Sequence, residues 1–408
     1  MNFIIFEDEN FKDLYPLNIL RSNHFLKCGA LTLSEKLRSS LPENSEVSIT
    51  CREDLFELMK INSSSAEAST DAAASEETIF INSAVIFKDN ILETLAHDIP
   101  AGSYLVSGGK VIFAKLLSEH PIHAKGILKE KYFKKAGLKK IDDKNYDISG
   151  KINIIDHPWD LVRFLQEELP NDLRIIIKNN KIIKLPSNHG VYCNRKLPEY
   201  FSADISKGDI VIEENAVIEP FVFIKGPCYL GKDTLVKSGT KIYGPVVIGN
   251  GSKVAGEISS SIFHANVNKQ HDGFVGNSYL SEFVNFGADT VTSNLKNNYS
   301  IVRVQHYGKE HNTGLQFLGS IIGDHTKAGI NTMFNTGTIA GIFSNIAGGG
   351  FPEKFIKDFS WVISGKKPQK YKLDEALKTA KTVMLRKGIE MNTEYEAQVK
   401  RAHKDLAL

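Results

Sequence analysis

The sequence predicts an α/β domain, then a parallel β-helix, then a helical tail. Three observations carry that reading. An aliphatic residue recurs every six positions from Ile212, strand and helix patterns mix before residue 186, and apolar residues take helical spacing after Phe351. At 408 residues the chain has room for two or three domains, and 42% hydrophobic with 24% charged residues is a globular composition.

The first domain, residues 1–186, reads as mixed α/β. Strand-like runs fall at Asn2–Phe6, Thr78–Phe87 and Arg174–Ile183. Asp156-His157-Pro158-Trp159-Asp160 opens a helix, because Pro158 suits a first turn and Leu161, Phe164, Leu165 and Leu169 share one face. Asn62–Glu77 is small, polar and repetitive, which predicts a surface loop. Turn formers and weak periodicity over Pro186–Tyr200 place a linker at 187–206.

The second domain, 207–352, is predicted by its glycines and its period. Of the 31 glycines, 21 lie between Gly208 and Gly350, about a third of the chain. Ile212, Ile218, Ile224, Leu230, Val236, Ile242, Ile248 and Val254 are six apart, and the rhythm returns at Ile322, Ala328, Phe334, Ala340 and Ile346. A period of six is neither helical nor simple strand alternation. It suits a coil of three short strands per turn, each giving one inward aliphatic. Gly231, Gly249, Gly323, Gly329, Asn335 and Gly341 follow the aliphatics and are expected to supply positive φ at the corners. The pattern resembles the hexapeptide-repeat, left-handed parallel β-helix.

The tail, 353–408, reads as helical from Leu373, Ala376, Leu377, Ala380, Val383 and Met384, with Arg386-Lys387-Gly388 as a stop. From Phe351 onward, 13 Lys/Arg face 8 Asp/Glu, but the basic residues form no block and the whole chain is only +2. Nucleic acid is therefore not an expected partner. The run Phe3-Ile4-Ile5-Phe6 stops at Glu7-Asp8-Glu9, too short for a membrane span or a signal core. Cys28, Cys51, Cys193 and Cys228 form no CxxC, which suggests a reducing, cytoplasmic setting.

Between the two runs of hexads, Leu280, Phe286 and Thr292 keep the six-residue rhythm. The segment before them carries Lys269, Gln270, His271 and Asp272 and reads as a polar insert, the kind of break where such coils place binding groups. A second break spans Lys296–Thr313 and contains Lys296, Arg303, His306, Lys309 and His311. It reads equally as a plain excursion or as a reach toward a phosphate.

His271, Gly276, Asn285-Phe286-Gly287-Ala288-Asp289-Thr290 and Ser293-Asn294 resemble the acetyltransferase motif of the bifunctional N-acetylglucosamine-1-phosphate uridylyltransferase/glucosamine-1-phosphate acetyltransferases. Phe6-Glu7-Asp8, Pro16-Leu17, Arg21-Ser22, Leu26-Lys27-Cys28-Gly29 and Lys36 are similar to the N-terminal pattern of a divergent bacterial branch of that family. Trp159-Asp160-Leu161, Asn335-Thr336-Gly337-Thr338 and Trp361 fit it too, so the likeness runs essentially the full length.

The resemblance implies a nucleotidyltransferase-like, Rossmann-like first domain and an acyltransferase-like left-handed β-helix. His271 would be the general base, Asn285 and Asn294 would position reactants, and N–H groups around Ala288 would meet the thioester carbonyl. Lys296 and Arg303 would reach acetyl-CoA, while Lys269 and Phe274 would line the sugar site. In the first domain Arg21, Lys27, Lys36 and Asn82 would bind nucleotide and sugar phosphate, with Asp8 on Mg²⁺. Implied partners are a nucleoside triphosphate, a sugar phosphate and acyl-CoA, within a homotrimer.

Departures from the motif leave rivals open. Phe274 stands where the family has Tyr, Gly319 where it has a basic residue, and Asn82 where a metal-binding Asp is expected. One rival is a monofunctional uridylyl- or thymidylyltransferase with a structural coil. Another is a non-catalytic sugar-nucleotide-binding protein.

Overall fold

The structure, a computed structural model, describes residues 2–43, 45–62, 77–117, 126–180, 190–194 and 196–407. Most of the polar segment expected as a loop, residues 63–76, lies outside them. Packing divides the chain into two units, one of residues 1–26 and 31–157, the other of 27–30 and 158–408.

The first unit is built on a six-stranded sheet. Its strands are β1 (Asn2–Phe6), β2 (Glu46–Thr50), β3 (Glu77–Asn82), β4 (Ser103–Ser107), β5 (Lys110–Leu117) and β6 (Lys139–Asp142), in the order β2-β1-β3-β5-β4-β6. β1 pairs parallel with both β2 and β3, whereas β5 is antiparallel to β3 and β4. Phe3 to Phe6 are all buried, as befits a central parallel strand covered on both faces. One face packs as Ile4, Phe6, Phe80, Tyr104 and Phe133, with the Phe6 and Phe133 rings 5.6 Å apart. The expected Thr78–Phe87 strand is two pieces, β3 and a short strand Val85–Phe87 that leaves the sheet to pair with Ile152–Ile154.

The second unit is a three-faced parallel β-helix of the left-handed type, followed by two helices. Its faces are two nine-stranded sheets, a five-stranded sheet and a two-stranded remainder. Every hexad aliphatic read from the sequence lies in one continuous buried cluster. One inward column runs Ile218, Val236, Val254, Lys269, Phe286, Ala328, Ile346 and Val362. Each residue there stacks one strand spacing, about 4.8 Å, from the next. The final rung strand, Ser360–Ile363, pairs antiparallel with Gln369–Lys370. Helices Leu373–Leu385 and Thr393–Leu406 follow, the first burying Ala376, Leu377, Ala380 and Met384 as expected.

Three expectations are corrected. Arg174–Ile183 is not a strand where described. The helix Leu165–Asn180 continues through it, because Leu165, Leu169, Leu173 and Ile176 keep one buried face. Coil strands already occur at Val191–Cys193 and Ser202–Asp204, within the stretch expected as linker. The segment holding Lys269 to Asp272 is no insert, since Val254 pairs with Lys269 and the rung is three residues shorter than its predecessors. The real interruption is the hairpin Arg303–His306/Lys309–Asn312.

The corner residues also differ from expectation. Positive φ falls three places after the inward residue, as at Asn215, Asp233, Phe283, Asp289, His325 and Phe343. Gly231, Gly249 and Gly323 serve close approach instead. A Cβ on Gly249 would lie 1.7 Å from the His264 carbonyl oxygen, so only glycine lets the rungs meet there. Several left-handed corner residues are aromatic and stack, with Phe283, His325, Phe343 and Phe359 at centroid spacings of 4.8, 4.5 and 4.9 Å. The last helix closes this ladder. His325 meets the Tyr395 hydroxyl at 2.9 Å, and His403 packs edge-on against Phe359.

Candidate functional site

In the first unit, the parallel strands β1 and β3 end at Phe6 and Asn82, so Glu7, Asp8 and Asn82 meet at one sheet edge. That is where open α/β sheets place ligands. Glu7 is fully buried. It accepts the backbone N–H groups of Asn23 and Arg52 and a 3.0 Å ion pair from the Arg52 guanidinium. Arg52 also donates to the carbonyls of Asn18 and Arg21 and stacks on Phe11 at 4.5 Å. Sequence reasoning missed this pair, which lies 45 residues apart; its one signal was an apolar strand ending in two adjacent acids.

Asp8 is committed as well. One carboxylate oxygen accepts the Asn10 N–H at 2.9 Å, and the other accepts the carboxamides of Asn82 at 2.8 Å and Asn10 at 3.2 Å. Asn82 uses its remaining groups on the Val111 carbonyl and the Ala84 N–H. Glu7 is turned to Arg52, and among the described residues no three metal-binding side chains cluster. A Mg²⁺ on Asp8, as expected, would have to displace the Asn10 and Asn82 donors from its carboxylate. Arg21 and Lys36 are buried side chains of this unit. Lys27 packs with the second unit, its ammonium on the Ala30 carbonyl at 2.7 Å and its N–H on the Tyr279 hydroxyl at 3.1 Å.

In the coil, two successive rungs hold six expected residues, Lys269, His271, Phe274, Asn285, Ala288 and Asn294. His271 is exposed, and its side chain makes no hydrogen bond to any described residue. The strand pairing Asn268 to Asn285 puts His271 and Ala288 at the same corner of adjacent rungs, where the Asp289 N–H on the Asp272 carbonyl sets His271 one place out of line with Ala288. The N–H groups of Gly287 and Asp289 are taken by Ala328 and Asp272, whereas the Ala288 N–H has no acceptor among the described residues. Asn285 accepts from Asn268 at 2.6 Å, and Asn294 donates to Asn277 at 2.8 Å. A Cβ on Gly276 would lie 2.5 Å from the Phe274 ring and 2.7 Å from the Asn294 carboxamide, so that glycine lets ring and amide converge. Gly319 has a similar cause. A Cβ there would meet the Gly276 oxygen at 2.0 Å, leaving no space for the basic residue of the family pattern.

Lys269 is the clear miss. It is fully buried in the inward column, and its ammonium donates to the carbonyls of His271 and Asp272, so it does not line a surface site. Burial lowers its pKa to about 8, against the pull of Asp272 and Asp289.

Lys296 precedes the hairpin and Arg303 opens it, where two clefts of about 540 and 570 Å³ share Lys296 and Lys354. Arg303 pairs with Glu310 at 3.0 Å, and Lys296 donates to the Ile301 carbonyl. Burial and then the Lys296 charge lower the Lys354 pKa, Glu310 acting the other way. Two cations beside a cleft of this size suit an elongated anionic ligand. No helix among the described residues is long and apolar enough to cross a membrane.

Residues 3–181 match the family described as sugar nucleotidyl transferase. A relative from Sulfurisphaera tokodaii named bifunctional sugar-1-phosphate nucleotidylyltransferase/acetyltransferase is 32% identical over 52% of this chain and 56% of its own. The bifunctional protein GlmU of Methanococcus maripaludis is 30% identical over 58% of this chain and 51% of its own. This chain thus spans about half the length of the curated relatives it matches. A solved putative acetyltransferase from Bacillus cereus aligns over 51% of this chain and all of its own, at 13% identity and a TM-score of 0.30.

Proposed function

We propose that this chain is a two-site transferase of sugar-nucleotide synthesis, from a divergent branch, bacterial by its N-terminal motifs, of the bifunctional family. The nucleotidyltransferase-like unit joins a nucleotide to a sugar 1-phosphate. The coil acetylates an amino-sugar phosphate, and the product is of the UDP-N-acetylglucosamine type. The observation that carries the reading is the pairing, on adjacent rungs, of an exposed His271 with the unoccupied Ala288 N–H. A base and an oxyanion donor are what acyl transfer to an amine needs. Acetyl-CoA supplies the acyl thioester, held along the Lys296–Lys354 clefts. His271 takes the amine proton, and Asn285 and Asn294 orient the acceptor. The expected assembly is a cytoplasmic homotrimer.

The test is one preparation assayed twice. Pyrophosphate release from UTP or dTTP with a sugar 1-phosphate reads the first site, and thiol release from acetyl-CoA with glucosamine 1-phosphate reads the second. Turnover in neither sinks the proposal for those substrates. Pyrophosphate release alone, unchanged in His271→Ala, supports a monofunctional enzyme with a structural coil. The Asp8–Asn82 bond favours one further reading, a first unit that binds nucleotide without turnover. It predicts thiol release alone, with nucleotide still raising the melting temperature.

A further inference from the structure

Lys269 is a cation in a column of otherwise apolar residues. Its stem lies between Val254 and Phe286 in register, where a methylene chain packs as well as an aliphatic side chain would. A buried ammonium is costly unless its protons find acceptors. Here it donates to the His271 carbonyl and, at 2.6 Å, to the Asp272 carbonyl.

The corner so held is irregular. On the next rung positive φ falls at Asp289, three places after Phe286; after Lys269 it falls four places on, at Gly273. The Asp272 carbonyl also receives the Asp289 N–H at 3.0 Å, which leaves the ammonium as the second tie on that oxygen. His271 makes no side-chain hydrogen bond to a described residue, so its direction follows its backbone.

We propose that Lys269 is a positioning residue: from inside the coil its ammonium fixes the peptide planes on either side of Asp272 and so aims the His271 imidazole at the acceptor site. The idea rests on the assignment of His271 as base. The charged groups acting on the ammonium are Asp272 on its own corner and Asp289 on the next rung, and burial brings its loss of charge within reach of mild alkali.

The experiment uses the full chain and Lys269→Met, which keeps the stem and drops the charge. Thiol release is expected to lose kcat by on the order of 10- to 100-fold, with KM for acetyl-CoA within about twofold. Amide-exchange protection at Asp289 and Glu257, whose N–H groups donate to the Asp272 and Gly273 carbonyls, should drop while distant rungs stay protected. In the wild type, protection at those two amides should fall as pH rises through about 8, once corrected for intrinsic exchange. This second measurement decides the matter if the variant does not fold. Wild-type kcat and protection in Lys269→Met, or a pH-independent corner, overturns the proposal. If His271→Ala leaves thiol release intact, the base assignment fails, and the exchange data alone then judge whether Lys269 holds the corner.

Discussion

The Asn82 carboxamide donates to the Asp8 carboxylate at 2.8 Å, from the end of one parallel strand to the end of its neighbour. An amide at that place neutralises nothing, yet it ties down the acid that a metal would otherwise claim. Substitution Asn82→Asp should therefore set two carboxylates against each other and strip the donor from the Val111 carbonyl. A loss of about 1–3 kcal/mol is expected in the urea midpoint. Millimolar Mg²⁺ should recover part of it in the variant and do little to the wild type. A variant as stable as wild type and indifferent to Mg²⁺ would show that the bond is dispensable.

His271→Ala should cost thiol release about 10²- to 10⁴-fold in kcat and leave pyrophosphate release untouched. The two proposed sites lie in separately packed units, so parallel loss of both activities would point to misfolding.

Gly249→Ala probes the coil itself. With 1.7 Å between the new Cβ and the His264 oxygen, the rungs must part, and a penalty of about 3 kcal/mol or more is expected. Thermal denaturation of the variant is the check. Unchanged melting would mean that the rungs can separate locally at no cost.

Glu396 gives the tail a pH signature. Its carboxylate accepts Lys381 at 2.6 Å and Lys400 at 2.8 Å, which depress its pKa to about 2. A depressed carboxylate contributes stability that is present above its unfolded value of 4.5 and lost as pH falls toward 2. The contact between the two terminal helices should loosen across that window, more weakly in high salt because the group is partly exposed. In Glu396→Gln that pH dependence should vanish, read by exchange protection across 373–406.

The hexads made the coil legible because each inward aliphatic reports one turn of a repeating object, and thirteen such residues from Ile212 to Ile346 lie in its core. What was not legible depended on partners the repeat does not encode. Lys269 looked like a surface cation because polarity alone cannot reveal two carbonyls waiting inside the corner. Glu7 and Arg52 meet only once two parallel strands align, and nothing between them announces the pairing. Arg174–Ile183 misled because Arg-Ile-Ile-Ile-Lys is β-branched, while the helix is decided by leucines upstream that set its buried face. The sites followed the same division. His271, Asn285 and Asn294 carried local motifs and fell on adjacent rungs, whereas the commitments of Asp8 and Asn82 required the sheet.

The reversed strand at Gln369–Lys370 bears on more than the fold of the tail. A stack of parallel rungs has no intrinsic last member, and its open edge is a template on which another chain could continue the pile. By running the opposite way along Ser360 and Trp361, those two residues occupy that template with a strand that no further rung can copy. On that face the coil is closed to a further parallel rung at its C-terminal end.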